Sequence, residues 1–172
     1  MSFLVPTDRR GMVVLTTEEC EKRLSSTPIG RFGVVVAGEP MMFPVLFRFV
    51  DGAIVFRTAA GEKMDAVWIG AAVTFEIDGW DPDKRVGWSV IARGRAETVH
   101  DPKETRRFEA LGLDDWIPRQ QPTTWVRLRP TEVSGRRIPE QHEQLAYWSR
   151  ASARLDTDVS KDPGWSMLMW SA

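Results

Sequence analysis

Cysteine is almost missing from this chain. Cys20 is the only one in 172 residues, so no disulfide can form within it, and a reducing compartment suits it best. Histidine is nearly as scarce: His100 and His142 lie far apart without metal-ligand spacing, so both read as solvated surface residues and no metal site is expected. No apolar run approaches the roughly 20 residues of a membrane span. The N-terminus shows no charged-then-apolar leader pattern, and the expected location is cytoplasmic, away from any membrane. An excess of one charge is lacking too. With 23 basic and 24 acidic residues the formal charge is −1, which excludes the basic field of a general nucleic-acid binder. Ser89 and Ser134 have no identifiable general base, so a hydrolase triad is excluded. Cys20 has no activating constellation for thiol chemistry. No GxGxxG fingerprint occurs, and the element order is not βαβαβ, so a Rossmann domain is excluded as well.

What is present is an ordinary globular composition, 42% hydrophobic and 27% charged, in a chain long enough to close one core without disulfide or metal. Eight tryptophans against one tyrosine is an unusual balance. Tryptophan serves interfaces and pockets for flat ligands as readily as it fills a core. Residues 1–15 read as a loose arm. Thr16, Thr17, Glu18 and Glu19 signal a helix start, a capping hydroxyl followed by acids at the positive end of the dipole, and the helix should end before Pro28.

From residue 31 the apolar period becomes that of strands. Strands are expected at 32–37, 42–50, 53–58, 72–77, 87–99 and 124–129. Gly38, Glu39 and Pro40 read as one turn and Asp51-Gly52 as a hairpin turn. A short helix is expected after residue 61, with Met64, Val67 and Trp68 on one face, and another around 102–111. In the fifth strand Trp88, Val90, Ala92, Gly94 and Ala96 share one face, and Ser89, Ile91, Arg93, Arg95 and Glu97 the other. A further helix is expected over 140–154, followed by an irregular end. These parts compose a mainly β fold, a six-stranded antiparallel barrel with flanking helices, over residues 16–138, followed by a C-terminal extension at 139–172.

The segment from Phe56 to Lys63 holds the most chemistry. It delivers Arg57 and Thr58 at a strand end, then small residues, then a helix start with Lys63. Helix N-termini bind anions through unpaired N–H groups and the macrodipole, and Arg and Lys add charge-assisted hydrogen bonds. The fragment suits a phosphate, with Glu62 as an uncomfortable neighbour that must point away. Alone it reads equally as an ordinary strand–turn–helix with solvated charges. Arg127, Arg129, Arg136 and Arg137 form a second basic set, read as a solvated outer face or as the edge of an anionic site.

Four stretches in order resemble the pyridoxamine 5′-phosphate oxidase-like group, the flavin split-barrel proteins. They are the entry from Thr17 through Val35; Phe43 to Phe47 with the Asp51-Gly52 hairpin and Phe56 to Lys63; Gly87 to Glu97; and Trp125 to Ile138. The resemblance implies a split β-barrel that binds FMN in a groove between the two subunits of a homodimer and acts as a flavin-dependent oxidoreductase. By that resemblance Arg57, Thr58 and Lys63 match the phosphate positions. Pro44, Val45, Leu46 and Phe47 run beside the ring, and Trp88 and Ser89 match flavin contacts, Ser89 by hydrogen bonding. No catalytic residue is assigned, because the cofactor carries the hydride. The family's Arg-x-His pattern for pyridoxal phosphate is absent, since Arg136-Arg137-Ile138 lacks the histidine, so vitamin B6 oxidation is not expected. The fold also admits the deazaflavin F420, haem, or a non-enzymatic flavin-binding role. The tail with Trp148, Trp165 and Trp170 reads as a lid, an arm to a partner, or a packing extension.

Overall fold

A computed structural model describes residues 6–59, 70–113 and 123–140. In chain order the elements are β1 (Val13–Val14), α1 (Thr17–Ser26), β2 (Ile29–Val36), β3 (Glu39–Val50), β4 (Ala53–Ala59), β5 (Ala72–Asp81), β6 (Val86–Thr98), α2 (Pro102–Glu109) and β7 (Thr123–Arg137). The expected helices after residue 61 and over 140–154 lie outside the described residues, as do Glu62, Lys63, His142 and the tail tryptophans. The strands β2 to β7 close a ring, β2-β3-β4-β7-β6-β5 and back to β2, with every pairing antiparallel. The expected six-stranded barrel is therefore the observed one. The short β1 is added outside the ring, against Arg136 and Arg137 of β7, so part of the expected loose arm is paired.

Local chemistry explains the joints. Thr16 and Glu19 form a reciprocal capping box: Glu19 N–H donates to Thr16 Oγ1 at 3.2 Å, and Thr16 N–H donates to Glu19 Oε2 at 2.8 Å. Cys20 and Leu24, one turn apart, are the buried residues of α1, and burial pushes the Cys20 thiol pKa up. The β2–β3 turn is Ala37-Gly38, both at positive φ, one residue earlier than the sequence pattern suggests. Glu39 and Pro40 already pair with β2, because a two-residue turn with both φ positive matches the strand twist. Asp51-Gly52 turns the same way. β7 extends to Arg137, past the expected end at 129, because its register against β6 continues after a bulge at Arg93/Gly94.

The barrel interior is packed with rings. Phe32 meets Phe56 at 5.1 Å between centroids, and Phe47 meets Phe75 edge-on at 4.7 Å, among Ile54, Ile77, Val90, Val126 and Leu128. A second small core of Val55, Val99, Phe108 and Trp125 lies on the outer face, where α2 covers β4 and β7. The outward faces of β3, β2 and β5 have no described helix over them. Ile29, Val35, Met42 and Trp80, the exposed large apolar side chains among the described residues, all lie on those faces. Glu76 also lies there, ion-paired to Arg31 at 3.4 Å.

Two outcomes follow from this packing. A Cβ on Gly30 would lie 2.2 Å from Phe75 Cζ, so Gly30→Ala should lower stability by about 1–3 kcal/mol in urea melts, and Phe75→Leu should restore part of the loss. Burial, reinforced by Asp78, raises the Glu76 pKa above 4.5, against the pull of Arg31. The folded chain therefore holds this proton more tightly than the unfolded one. Its contribution is present below the ordinary value and lost as pH rises through the raised one, so Glu76→Gln should flatten that limb of a stability–pH curve.

Candidate ligand site at the strand divergence

β3 changes partners part-way along its length. Residues Glu39 to Leu46 pair with β2, whereas Phe47 to Val50 pair with β4. β4 in turn pairs with β3 only from Ala53 to Phe56, while its Ile54 to Ala59 pair with β7. Beyond the Phe47–Phe56 pair the two strands separate. A notch opens with Pro44, Val45 and Leu46 on one side and Arg57, Thr58 and Ala59 on the other, and no described strand pairs into it.

Alternation of the backbone decides which groups line this notch. Phe47 N–H donates to Pro28 O on the β2 side at 3.1 Å, so the N–H and C=O of Leu46 and the C=O of Pro44 turn the other way, into the notch. By the same reasoning the main chain of Arg57 and Ala59 faces it from β4. Pro40 and Pro44 sit an even number of residues apart, so both ring nitrogens lie on this open edge. That removes donors which would otherwise invite another strand, without interrupting the ladder to β2.

Arg57 is held at the notch by β7. Its cross-strand partner is Trp125, whose ring lies 5.7 Å from the guanidinium carbon. Its Nε and Nη2 donate to Thr123 Oγ1 at 3.1 and 2.6 Å. Thr58, next along, is only 2% exposed, and its hydroxyl donates to the Ala59 carbonyl at 3.2 Å. Val45 and Phe47 turn their side chains into the core, so those two can meet a ligand only through main chain, whereas Pro44 and Leu46 face outward. Lys63 lies outside the described residues.

Trp88 and Ser89 are elsewhere. They pair with Arg137 and Arg136, at the opposite end of β6 from Thr98, which pairs with Val126 beside Trp125. Ten residues of strand separate Trp88 from Thr98, about 33 Å at about 3.3 Å per residue. Within one chain the structure brings together the β3 and β4 residues and leaves this pair apart. Trp88 lies over Gly79, where a Cβ would come within 2.6 Å of the indole, and Arg23 stacks on its ring at 5.2 Å. Ser89 is on the other face, opposite Asp78 and Arg136.

The four arginines read as one basic set divide. Arg127 is tied to Glu97 at 2.7 Å and, more closely still, to Glu104 of α2. Arg136 pairs with Asp8 at 3.2 Å, whereas Arg129 remains 61% exposed. His100 is exposed, and no group of metal-ligating side chains occurs among the described residues. Thr123 and Trp125, which orient Arg57, escaped the sequence reading. Strand alternation sets Trp125 on the face opposite Val126 and Leu128, but only the β4–β7 register puts it beside Arg57.

The arrangement accommodates an anionic, planar ligand. An anchored guanidinium stands beside an open strand edge that offers main-chain donors and acceptors. Comparison with known proteins follows the same line. The family model for pyridoxamine 5′-phosphate oxidase matches residues 16–137. The Rv0080 protein of Mycobacterium tuberculosis is 33% identical over 138 residues, covering 77% of this chain and 90% of its own. The FAD binding protein of Mycobacterium smegmatis is 35% identical, with a TM-score of 0.63, covering 74% of this chain and all of that one. A FAD-binding protein of Mesorhizobium loti, at 23% identity and a TM-score of 0.65, shares the fold over 74% of this chain. With the closed six-stranded ring, its divergent β3–β4 edge and a family match spanning the barrel, the chain belongs to the pyridoxamine 5′-phosphate oxidase family.

Proposed function

We propose that this protein binds a flavin nucleotide at the β3–β4 divergence and acts as a flavin-dependent oxidoreductase on a small molecule other than vitamin B6. The observation that carries the reading is Arg57, fixed by Thr123 and Trp125 beside an unpaired stretch of strand edge. Arg57 and Lys63 hold the phosphate. Thr58 joins them by exchanging the Ala59 carbonyl for a phosphate oxygen. The main chain of Pro44, Val45, Leu46 and Phe47 runs beside the ring, where Leu46 N–H and C=O suit its polar edge. A bound flavin supplies two-electron redox chemistry, so the chain need not contribute an acid–base pair. The chain's task is then to hold, orient and shield.

Trp88 and Ser89 lie too far along β6 to meet a ligand at the notch of their own chain. A second copy can supply them. The uncovered outward faces of β2, β3 and β5, with Ile29, Val35, Met42 and Trp80 exposed, support a homodimer as the working unit. The nucleotide is FMN by family resemblance. The FAD bound by the Mycobacterium smegmatis relative contains the same ring and first phosphate, so one cradle serves either. F420 is the third candidate, and its phosphate suits the same cations.

Freshly purified protein should be yellow. Arg57→Ala with Lys63→Ala should weaken flavin binding by at least about 100-fold, from two charge-assisted hydrogen bonds of about 1.5–3 kcal/mol each, while circular dichroism stays unchanged. The mass of the heat-released cofactor distinguishes FMN, FAD and F420, and steady-state turnover with NAD(P)H separates an enzyme from a storage protein. Stoichiometric flavin retained by the folded double variant would overturn the phosphate assignment.

A further inference from the structure

Arg95 and Arg129 are direct cross-strand partners on the outer face of β6 and β7. Like charges in that position repel, and sheets normally avoid the arrangement. Among the described residues Arg95 has no carboxylate at ion-pair distance, and its Nη1 donates to the Gly70 carbonyl. The described carboxylate at ion-pair distance from Arg129 is Glu97 at 3.7 Å, which is bound more tightly by Arg127 at 2.7 Å. The pair stands in a cleft of about 620 Å³ whose lining also includes Arg93, Thr131 and the carboxylates Glu97 and Glu132.

The backbone shapes this cleft. The register between β6 and β7 shifts at Arg93/Gly94, and a Cβ on Gly94 would lie 2.3 Å from the Arg129 carbonyl. Only glycine lets the strands approach so closely there, and the bulge re-aims the flanking side chains. Arg93 closes one side, held by Glu132 at 2.9 Å, and Thr131 Oγ1 donates to the Arg93 carbonyl at 3.2 Å. Glu97 and Glu132 line the same wall but are engaged by Arg127 and Arg93, which leaves the two facing guanidiniums as its excess charge, and their planar forks match the oxygens of a phosphoryl group. The cleft is separate from the notch at Arg57. The α2-covered core of Val55, Val99, Phe108 and Trp125 lies between them, and Trp125 to Arg129 spans about 13 Å of strand.

We propose that this cleft is a second anion site, taking a phosphoryl group between Arg95 and Arg129. The group belongs either to the adenylate half of a dinucleotide or to a free phosphorylated small molecule. The anion relieves a repulsion that the fold otherwise bears, so occupancy stabilises the folded chain.

The test uses the full chain carrying Arg57→Ala and Lys63→Ala, so that the notch contributes nothing. Inorganic pyrophosphate is titrated at constant ionic strength, balanced with NaCl, and melting is followed. A saturable rise in Tm is expected. Adding Arg95→Gln and Arg129→Gln should weaken the apparent affinity at least tenfold, while Tm in NaCl alone stays the same or rises. Arg95→Lys with Arg129→Lys keeps the charge but loses the forks, and should fall between. In the otherwise wild-type chain, weakened FAD binding with unchanged FMN binding in the Gln pair identifies the dinucleotide as the source, and no change in either identifies a free phosphorylated ligand. A Tm response that is absent, unsaturable, or equal with and without the two arginines overturns the proposal. The pyrophosphate arm is independent of the flavin reading; the FAD and FMN comparison, which only assigns the source of the anion, rests on it.

Discussion

The partner change of β3 at Phe47 is the constraint on which the rest of the molecule depends. A strand has two edges, and β3 uses one for β2 and the other for β4, over different residues. The barrel closes because Phe47 and Phe56 still face each other at the crossing, buried with Phe32 and Phe75. Past that crossing, no described strand pairs with the edges that face the notch. An open edge ordinarily invites aggregation, and prolines at 40 and 44 blunt it. The same edge is what a ligand with a polar rim can use, so on the proposed reading protection and binding ask for the same pattern on β3.

The filled interior sends ligand chemistry outward. Phe32, Phe47, Phe56 and Phe75, each at most 1% exposed, occupy the barrel centre with the aliphatic residues of β4 to β7. A six-stranded ring of this kind has room for side chains and none for a cofactor. Any bound molecule must lie on an edge or an outer face, where a single chain supplies only part of an enclosure. That is why Arg57 and Ser89, on different strands and at different ends of the barrel, can belong to one site only across two copies.

The barrel was legible in the sequence because local rules and tertiary structure agree there. Strand alternation in β6 placed Val90, Ala92 and Ala96 inward, and all three are buried; the capping box placed α1 within one residue. Legibility fell where a boundary depends on a partner. The β2–β3 turn moved by one residue because Ala37 accepts a positive φ that sequence propensity assigns to glycine. β7 ran past 129 because its continuation relies on pairing with β6 across a bulge, which no window of β7 alone can reveal. The site shows the same division. Arg57 was singled out from its own type and position, whereas Thr123 and Trp125 became visible beside it only with the β4–β7 register. Arg127, Arg129 and Arg136 looked alike in sequence and are distinguished by how closely the fold sets a carboxylate beside each.

A net charge of −1 conceals how unevenly the fold distributes its cations. Arg31, Arg93, Arg107, Arg127 and Arg136 are each matched with at least one carboxylate within 3.4 Å. Most of these pairs are exposed and worth little individually. Arg23, Arg48, Arg85 and Arg106 also lack a carboxylate within 4 Å among the described residues. What sets Arg95 and Arg129 apart is that they face each other across β6 and β7 in the wall of a cleft. Arg57 differs again, since a hydroxyl and an indole face from β7 fix its direction. A chain nearly neutral overall can thus still set two cations side by side, and an anion at the proposed second site would be drawn there without the salt-sensitive, indiscriminate binding that a basic surface would bring.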